Sequence, residues 1–293
     1  MTVDEPQQLA GRFERQRGRL LGLAYRMLGG MGEAEDAVQE AWLRLSRADT
    51  ADVVNLDAWL TTVVSRICLD MLRTRGARRE EPLDAATALL RPAPGRAPEE
   101  EAALVDSVGR ALLVVLDRLG PDERVAFVLH DLFAVPFEQI APIVDRSAAT
   151  TKKLASRARA RVRGEQTAAD PDLPHHRAVV QAFLDAARGG DIAALLRVLA
   201  PEVVRTADPA ALPAGAAPVV RGADAVVRET LLLRTRAAAA DLALVDGRVG
   251  VVVAPAGRLL LALRITVADG RVAGYEVVAE PARLARLSLA VLD

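Results

Sequence analysis

Hydrophobic periodicity changes character once along this chain, and that change constrains its architecture most. Up to about Arg163, apolar residues recur every three or four positions. From about His175, two more stretches of that kind give way to short apolar runs bounded by Asp246-Gly247 and Asp269-Gly270. Asp-Gly between β-rich runs is a strong hairpin signal. Helices bury a stripe and strands bury a face, so one core cannot serve both patterns economically. The expected fold is multidomain: two all-α helical units, the second with a helix-turn-helix, followed by an α+β unit of helices on a curved antiparallel sheet. At 293 residues, two or three compact units is also the expectation from length. With 51% apolar residues each unit can bury a core, and with only 3% aromatics that core must be aliphatic.

In the first unit Leu20, Leu21, Leu23, Ala24, Met27 and Leu28 mark one helix face. After Gly29-Gly30 come Ala34, Ala37, Val38, Ala41, Trp42 and Leu45, at helical spacing. A third stripe runs Trp59, Leu60, Val63, Val64, Ile67, Cys68, Met71 and Leu72, with Asn55 as its N-cap. The proline-rich, glutamate-rich stretch that follows reads as a linker. In the second unit Gly120-Pro121 stops one helix and starts another, with Pro121 near N1 and Asp122 and Glu123 in the first turn. Pro136 opens a short helix. Asp145-Arg146-Ser147 then forms a tight turn with Ser147 as the cap of a basic helix. A short helix, a three-residue turn and a basic helix is the pattern of a DNA-binding helix-turn-helix. The expected boundaries are 8–80, a linker 81–103, 104–165, a linker 166–174, and 175–293.

The net charge of −1 would argue against nucleic acid if charge were evenly spread, but it is not. Ser147 to Arg163 holds Lys152, Lys153, Arg157, Arg159, Arg161 and Arg163 with no acid, and these are the only lysines in the chain. Arg66, Arg73, Arg75, Arg78 and Arg79 face one acid, Asp70. Glu33, Glu35, Asp36 and Glu40 form an acidic block with no base between them. Such blocks speak about partners more than the sum does. One cysteine, Cys68, excludes a disulfide scaffold and a multi-cysteine zinc site. Adjacent His175 and His176 cannot both face one metal from a helix, and His130 reads as structural, so no metal and no cofactor are expected. The polar N-terminus and the lack of a stretch of ~20 apolar residues point to a cytoplasmic protein off the membrane.

Residues 24–45, with the core Ala34-Glu35-Asp36-Ala37-Val38-Gln39-Glu40, together with 58–79 and 111–163, resemble the extracytoplasmic-function group of sigma-70-family factors. The resemblance implies region 2, which binds the polymerase clamp helices and opens the −10 element, and region 4, which reads the −35 element. Residues 175–293 resemble the SnoaL-like, or nuclear transport factor 2-like, fold. A subgroup of the sigma factors carries such a domain, thought to modulate the factor in place of a separate anti-sigma protein. Two departures stand out. Ala207-Asp208 runs into Pro209-Ala210-Ala211-Leu212-Pro213 where that subgroup often has Ala-Asp-Gly-Gly. Glu280-Pro281-Ala282-Arg283-Leu284 matches the subgroup's Asn-Pro-Asp-Lys-Leu at Pro and Leu only.

On this basis Glu33, Asp36, Gln39, Glu40 and Arg44 are candidates for core-polymerase binding; by itself such a charge run reads as a solvated helix face. Arg66, Arg73 and Arg75 are candidates for phosphates of an opened strand, with no aromatic stacking platform beside them. The connection Ser46–Asn55 is a weak candidate for base reading. On the basic helix Lys152, Lys153 and Ser156 point away from Leu154, Ala158 and Val162, in the turns that reach base edges. Ser147, Thr150 and Thr151 are neutral DNA-binding candidates there, and Arg157, Arg159 and Arg163 suit phosphates. In the last unit only Asp208, Tyr275 and Glu276 are nominated, for a possible pocket; without an acid–base pair no catalytic residue is expected. The function expected is a sigma factor that binds core RNA polymerase and promoter DNA, controlled by intramolecular contact with its own C-terminal domain, any small-molecule ligand being unknown. The alternative is a one-component helix-turn-helix regulator with a ligand-binding domain. A cyclase-type enzyme would leave the basic helices without a task.

Overall fold

The structure is a computed structural model that describes residues 5–48, 55–78, 109–164, 172–213 and 215–292. The expected linker 81–103, most of the linker 166–174, and Arg79 lie outside the described residues, as do positions 49–54 of the Ser46–Asn55 connection. The described chain forms two compact units. The first draws on residues up to Val108 and on Leu116–Arg159, the second on Gly109–Val115 and Ala160–Asp293.

In the first unit α1 (Glu5–Leu28), α2 (Met31–Arg47) and α3 (Leu56–Arg78) pack on one another. Leu20, Leu23, Ala24, Met27, Ala34, Ala37, Ala41 and Leu45 are fully buried, as their spacing requires. Each buried leucine contributes on the order of 2 kcal/mol. Asn55 caps α3, its Oδ1 accepting the Ala58 N–H at 3.1 Å. The apolar stripe of α3 is wider than its sequence pattern, since Leu69 and Ser65 are buried too. The reason is position. α3 lies against α1 and α2 on one side, and against α5 (Pro121–Phe127) and α6 (Phe137–Val144) on the other; α4 (Arg110–Asp117) precedes them in the chain. Ser65 tolerates burial because its hydroxyl donates to the Thr61 carbonyl at 2.7 Å.

Pro121 stands at the start of α5, following Gly120. The helix does not end at Phe127 but loosens into one π-helical turn, Val128–Leu132. His130 is structural there: its Nδ1 lies 3.1 Å from the Val135 carbonyl and its ring stacks on Phe137. Arg124, buried on α5, reaches Asp117 at 3.3 Å and the Arg26 carbonyl at 3.4 Å, linking α5 to α1. Asp145 closes α6 in the left-handed region, φ 55°, with its N–H on the Ala141 carbonyl. The chain then enters α7 (Ala148–Arg163).

The second unit packs α8 (Leu173–Gly189), α9 (Ile192–Val198) and α10 (Ala223–Leu232) against a seven-stranded sheet. His175 and His176 fall in the first turns of α8. Its strands are β1 (Leu199–Ala207), β2 (Val219–Arg221), β3 (Ala240–Val245), β4 (Arg248–Val253), β5 (Leu261–Ala268), β6 (Arg271–Val278) and β7 (Leu289–Ala290), in the order β2-β1-β6-β5-β4-β3-β7. The sheet departs from the antiparallel expectation in one place: β1 pairs parallel with β6. Other strands and helices of the unit lie between them in the chain, and the return places β6 beside β1 in the same direction. Both Asp-Gly pairs make the expected turns, with positive φ at Asp246, Gly247, Asp269 and Gly270. Alternation sorts each strand. Val203, Arg205, Ile265 and Tyr275 face the helices, while Arg264 and Glu276 face the other way, joined side by side at 3.2 Å.

Candidate nucleic-acid interface

α7 owes its start to Ser147, whose Oγ accepts the Thr150 N–H at 3.2 Å. Leu154, Ala155, Ala158 and Val162 are buried, and this fixes which way the rest of the helix faces. Lys152, Lys153, Ser156, Arg157 and Arg163 are exposed. Lys152 and Lys153 make no ion pair among the described residues. Arg157 stands 3.8 Å from Glu123 and is largely in water. Arg159 is held tighter: its Nε donates to Asp131 at 2.7 Å, and that bond raises its already high pKa. Thr150 is half-buried, its hydroxyl 2.9 Å from that of Ser147. Thr151 is a correction to the surface set. It is 0% exposed, and its hydroxyl donates to the Ser147 carbonyl at 3.0 Å, so no DNA can reach it in this fold.

The basic end of α3 is differently committed. Arg66 donates to the Pro142 carbonyl at 3.2 Å, an acceptor left without its helical donor partner because helix α6 ends two residues later. Arg73 pairs with Asp122 at 2.9 Å, and Arg146 approaches the same carboxylate at 3.5 Å. Arg75 donates to the Leu28 carbonyl at 3.0 Å and pairs with Glu33. Two candidates assigned to different partners, Arg75 and Glu33, therefore bind each other and fix α2 to α3. On the rest of α2, Asp36, Gln39 and Arg44 are exposed, and Glu40 is half-buried with Arg44 at 2.9 Å, an i,i+4 pair.

In the second unit Asp208 and Glu276 do not line the inner cavity, whereas Tyr275 does. Asp208 is buried and accepts the backbone N–H groups of Ala279 and Glu280 at 3.0 Å, and Arg283 pairs with it. Burial works against its charge, but the Glu280 and Ala279 amides and the Arg283 guanidinium outweigh it and hold the carboxyl below its ordinary range. Arg283 bridges on to Glu276, and its hydrogen bond is the main cause that lowers that carboxyl too. The two segments that depart from the subgroup's motifs are thus bonded to each other. Burial pushes the Tyr275 phenol up to about 12, so it is a neutral donor. The sequence pattern did not bring out the charged pair on the inner face: Arg205, 2% exposed, and Glu229 of α10. A charged residue at an inward position between Val203 and Ala207 was the available signal. Among the described residues no cluster of His, Cys, Asp or Glu could hold a metal, and no helix is long and apolar enough to cross a membrane.

The comparisons with known proteins match this division. The model of sigma-70 region 2 matches residues 12–78 and that of sigma-70 region 4 matches residues 109–162. The ECF RNA polymerase sigma factor SigJ of Mycobacterium tuberculosis is 40% identical over 291 residues, covering 92% of this chain and 91% of the relative. The chain belongs to the ECF sigma factor family. The probable ECF RNA polymerase sigma factor SigI of the same organism is 41% identical over 228 residues, covering 77% of this chain and 76% of the relative. A crystal structure of SigJ covers 94% of the chain at 35% identity, with a TM-score of 0.45. This sigma factor therefore carries α1–α3 as region 2, the helix-turn-helix of α6 and α7 within region 4, and a C-terminal α+β extension consistent with the SnoaL-like resemblance. The protein is an RNA polymerase sigma factor of the kind that directs transcription initiation, and sigma factors are not a class of enzymes.

Proposed function

We propose that the sigma factor docks on core RNA polymerase through Asp36, Gln39, Glu40 and Arg44 of α2, and lays α7 on the −35 element of its promoters. The observation that carries this reading is the Ser147-capped helix with Lys152 and Lys153 exposed in its first two turns. The N-terminal turns of a recognition helix reach base edges in the major groove. Thr150, Lys152, Lys153 and Ser156 occupy those turns, while Arg157 and Arg163 lie where phosphate contacts fix register. Arg66, Arg73 and Arg75 serve the phosphates of the opened −10 strand once they leave their present carbonyl and carboxylate partners. The division of labour is 8–80 for polymerase and the −10 element, 104–165 for the −35 element, and 175–293 for control, with 81–103 and 166–174 as connections. Acting on polymerase, the protein works in the cytoplasm.

Control is intramolecular in this reading. Its support is that both ends of region 4 belong to the same compact unit as the C-terminal sheet. The Val291 N–H donates to the Val162 carbonyl at 2.8 Å, and the Ala111 N–H lies 3.5 Å from Asp241. Gly257, at φ 74°, leaves out a Cβ that would sit 2.9 Å from Leu113. Docking is tested with Asp36→Arg combined with Glu40→Arg. Both sites are on the outer side of α2, so the melting temperature should hold while co-elution with core polymerase is lost. Normal holoenzyme formation by that variant would remove the docking face.

A further inference from the structure

Between the inner face of the sheet and the helices of the second unit lies a cavity of about 100 Å³. Its wall is apolar for the most part, with Phe183, Leu184, Val251, Leu263 and Val277 prominent. An apolar cavity of about 150 Å³ stays dry and takes up benzene, so this one suits a body of roughly six heavy atoms. Ligand sites typically combine such walls with a few placed polar groups. Here those groups are Arg205, Glu229, Thr230 and Tyr275, gathered along one side.

Their bonding decides what can enter. Arg205 Nε donates to Glu229 at 2.8 Å, and a second nitrogen of the guanidinium pairs with the other carboxylate oxygen. Its remaining nitrogen donates to the carbonyls of Ala217 and Pro218 at 3.0 and 3.1 Å. The charge is therefore matched and its directions are almost all taken. A carboxylate entering the cavity would have to displace Glu229 and leave a buried anion unpaired, which is costly. Tyr275 is less committed. Thr230 gives its only hydroxyl proton to the Val226 carbonyl at 2.8 Å, so toward Tyr275 it can only accept, and that contact is long at 3.4 Å. The phenol proton is loosely held, and its oxygen still has acceptor capacity. Arg236 joins two wall segments by donating to the Ala211 carbonyl at 2.7 Å.

We infer that this cavity is a binding site for a neutral, ring-sized, mainly apolar molecule carrying one hydroxyl or carbonyl, which exchanges a hydrogen bond with Tyr275. The Arg205 and Glu229 pair acts as a filter that refuses anions. Binding is read on the chain alone, without polymerase or DNA, so its failure and that of the promoter reading are separate.

The test is calorimetric titration of the full-length protein with cyclohexanol and with cyclohexanecarboxylate. Cyclohexanol should bind saturably at one site, and the carboxylate at least tenfold more weakly. Tyr275→Phe keeps the ring against Phe183 and should weaken cyclohexanol about three- to tenfold. Val277→Phe fills the cavity and should abolish binding in a protein that still melts cooperatively. Three results would overturn the inference: no saturable binding of cyclohexanol, a carboxylate bound as tightly as the alcohol, or an affinity that Tyr275→Phe leaves unchanged.

Discussion

The end of α3 and the first turns of α7 are both basic, yet they hold their charge in different states. On α7, Lys152 and Lys153 stand in water without an ion pair among the described residues. On α3, Arg66, Arg73 and Arg75 each bond to a carbonyl or a carboxylate, the first two reaching helices α6 and α5. Charge density says what a helix attracts. It does not say whether the charge is available, because a folded chain supplies its own anions and carbonyls. The commitment of Arg73 is shallow, however: it is half-exposed, and exposed ion pairs are worth about 0–1 kcal/mol. A nucleic-acid phosphate can displace Asp122, whereas nothing on α7 needs to be displaced.

Lys152→Ala with Lys153→Ala should break the comparison most severely. Affinity for a −35 duplex should fall about tenfold or more, and the slope of log affinity against log salt should shrink by about one for each phosphate that the removed lysines neutralise. An unchanged slope would move DNA recognition off α7. Asp122→Asn sharpens the comparison by releasing Arg73 and Arg146 together. Fluorescence anisotropy with a single-stranded −10 oligonucleotide should show about two- to fivefold tighter binding, at a stability loss of at most about 1 kcal/mol. Weaker or equal binding would mean that Arg73 faces no DNA. Thr151→Val is the smallest change. It should cost about 1 kcal/mol in a denaturant melt through removal of the hydroxyl bond and leave duplex affinity unaltered. A drop in affinity without a drop in stability would return Thr151 to the DNA surface.

Local signals make much of this molecule legible in its sequence. Asn55 and Ser147 cap helices because a short polar side chain preceding an apolar stripe has little else to do there. Asp246-Gly247 and Asp269-Gly270 turn hairpins because both positions need positive φ. Features set by what arrives from far along the chain were not legible. Thr151 sits one residue from two exposed lysines, and only the packing of α7 decides that it points inward. The pairings of Arg73 with Asp122 and of Asp208 with Arg283 span 49 and 75 residues, and charge type alone names no partner over such distances. The parallel placement of β1 beside β6 follows from the return of the sheet, which pairwise strand patterns do not encode. Arg205 was the one such feature with a local clue, a charge at an inward strand position, and its partner Glu229 comes from a helix 24 residues later.

Run-off transcription from the gene's own upstream region tests the central claim most directly, using core RNA polymerase with the full-length protein or its Lys152→Ala, Lys153→Ala form. The account predicts promoter-dependent transcripts with the unmodified protein. The double variant should give at least tenfold fewer while still co-eluting with core. Transcripts equal in amount from both proteins, or none from either, would contradict it.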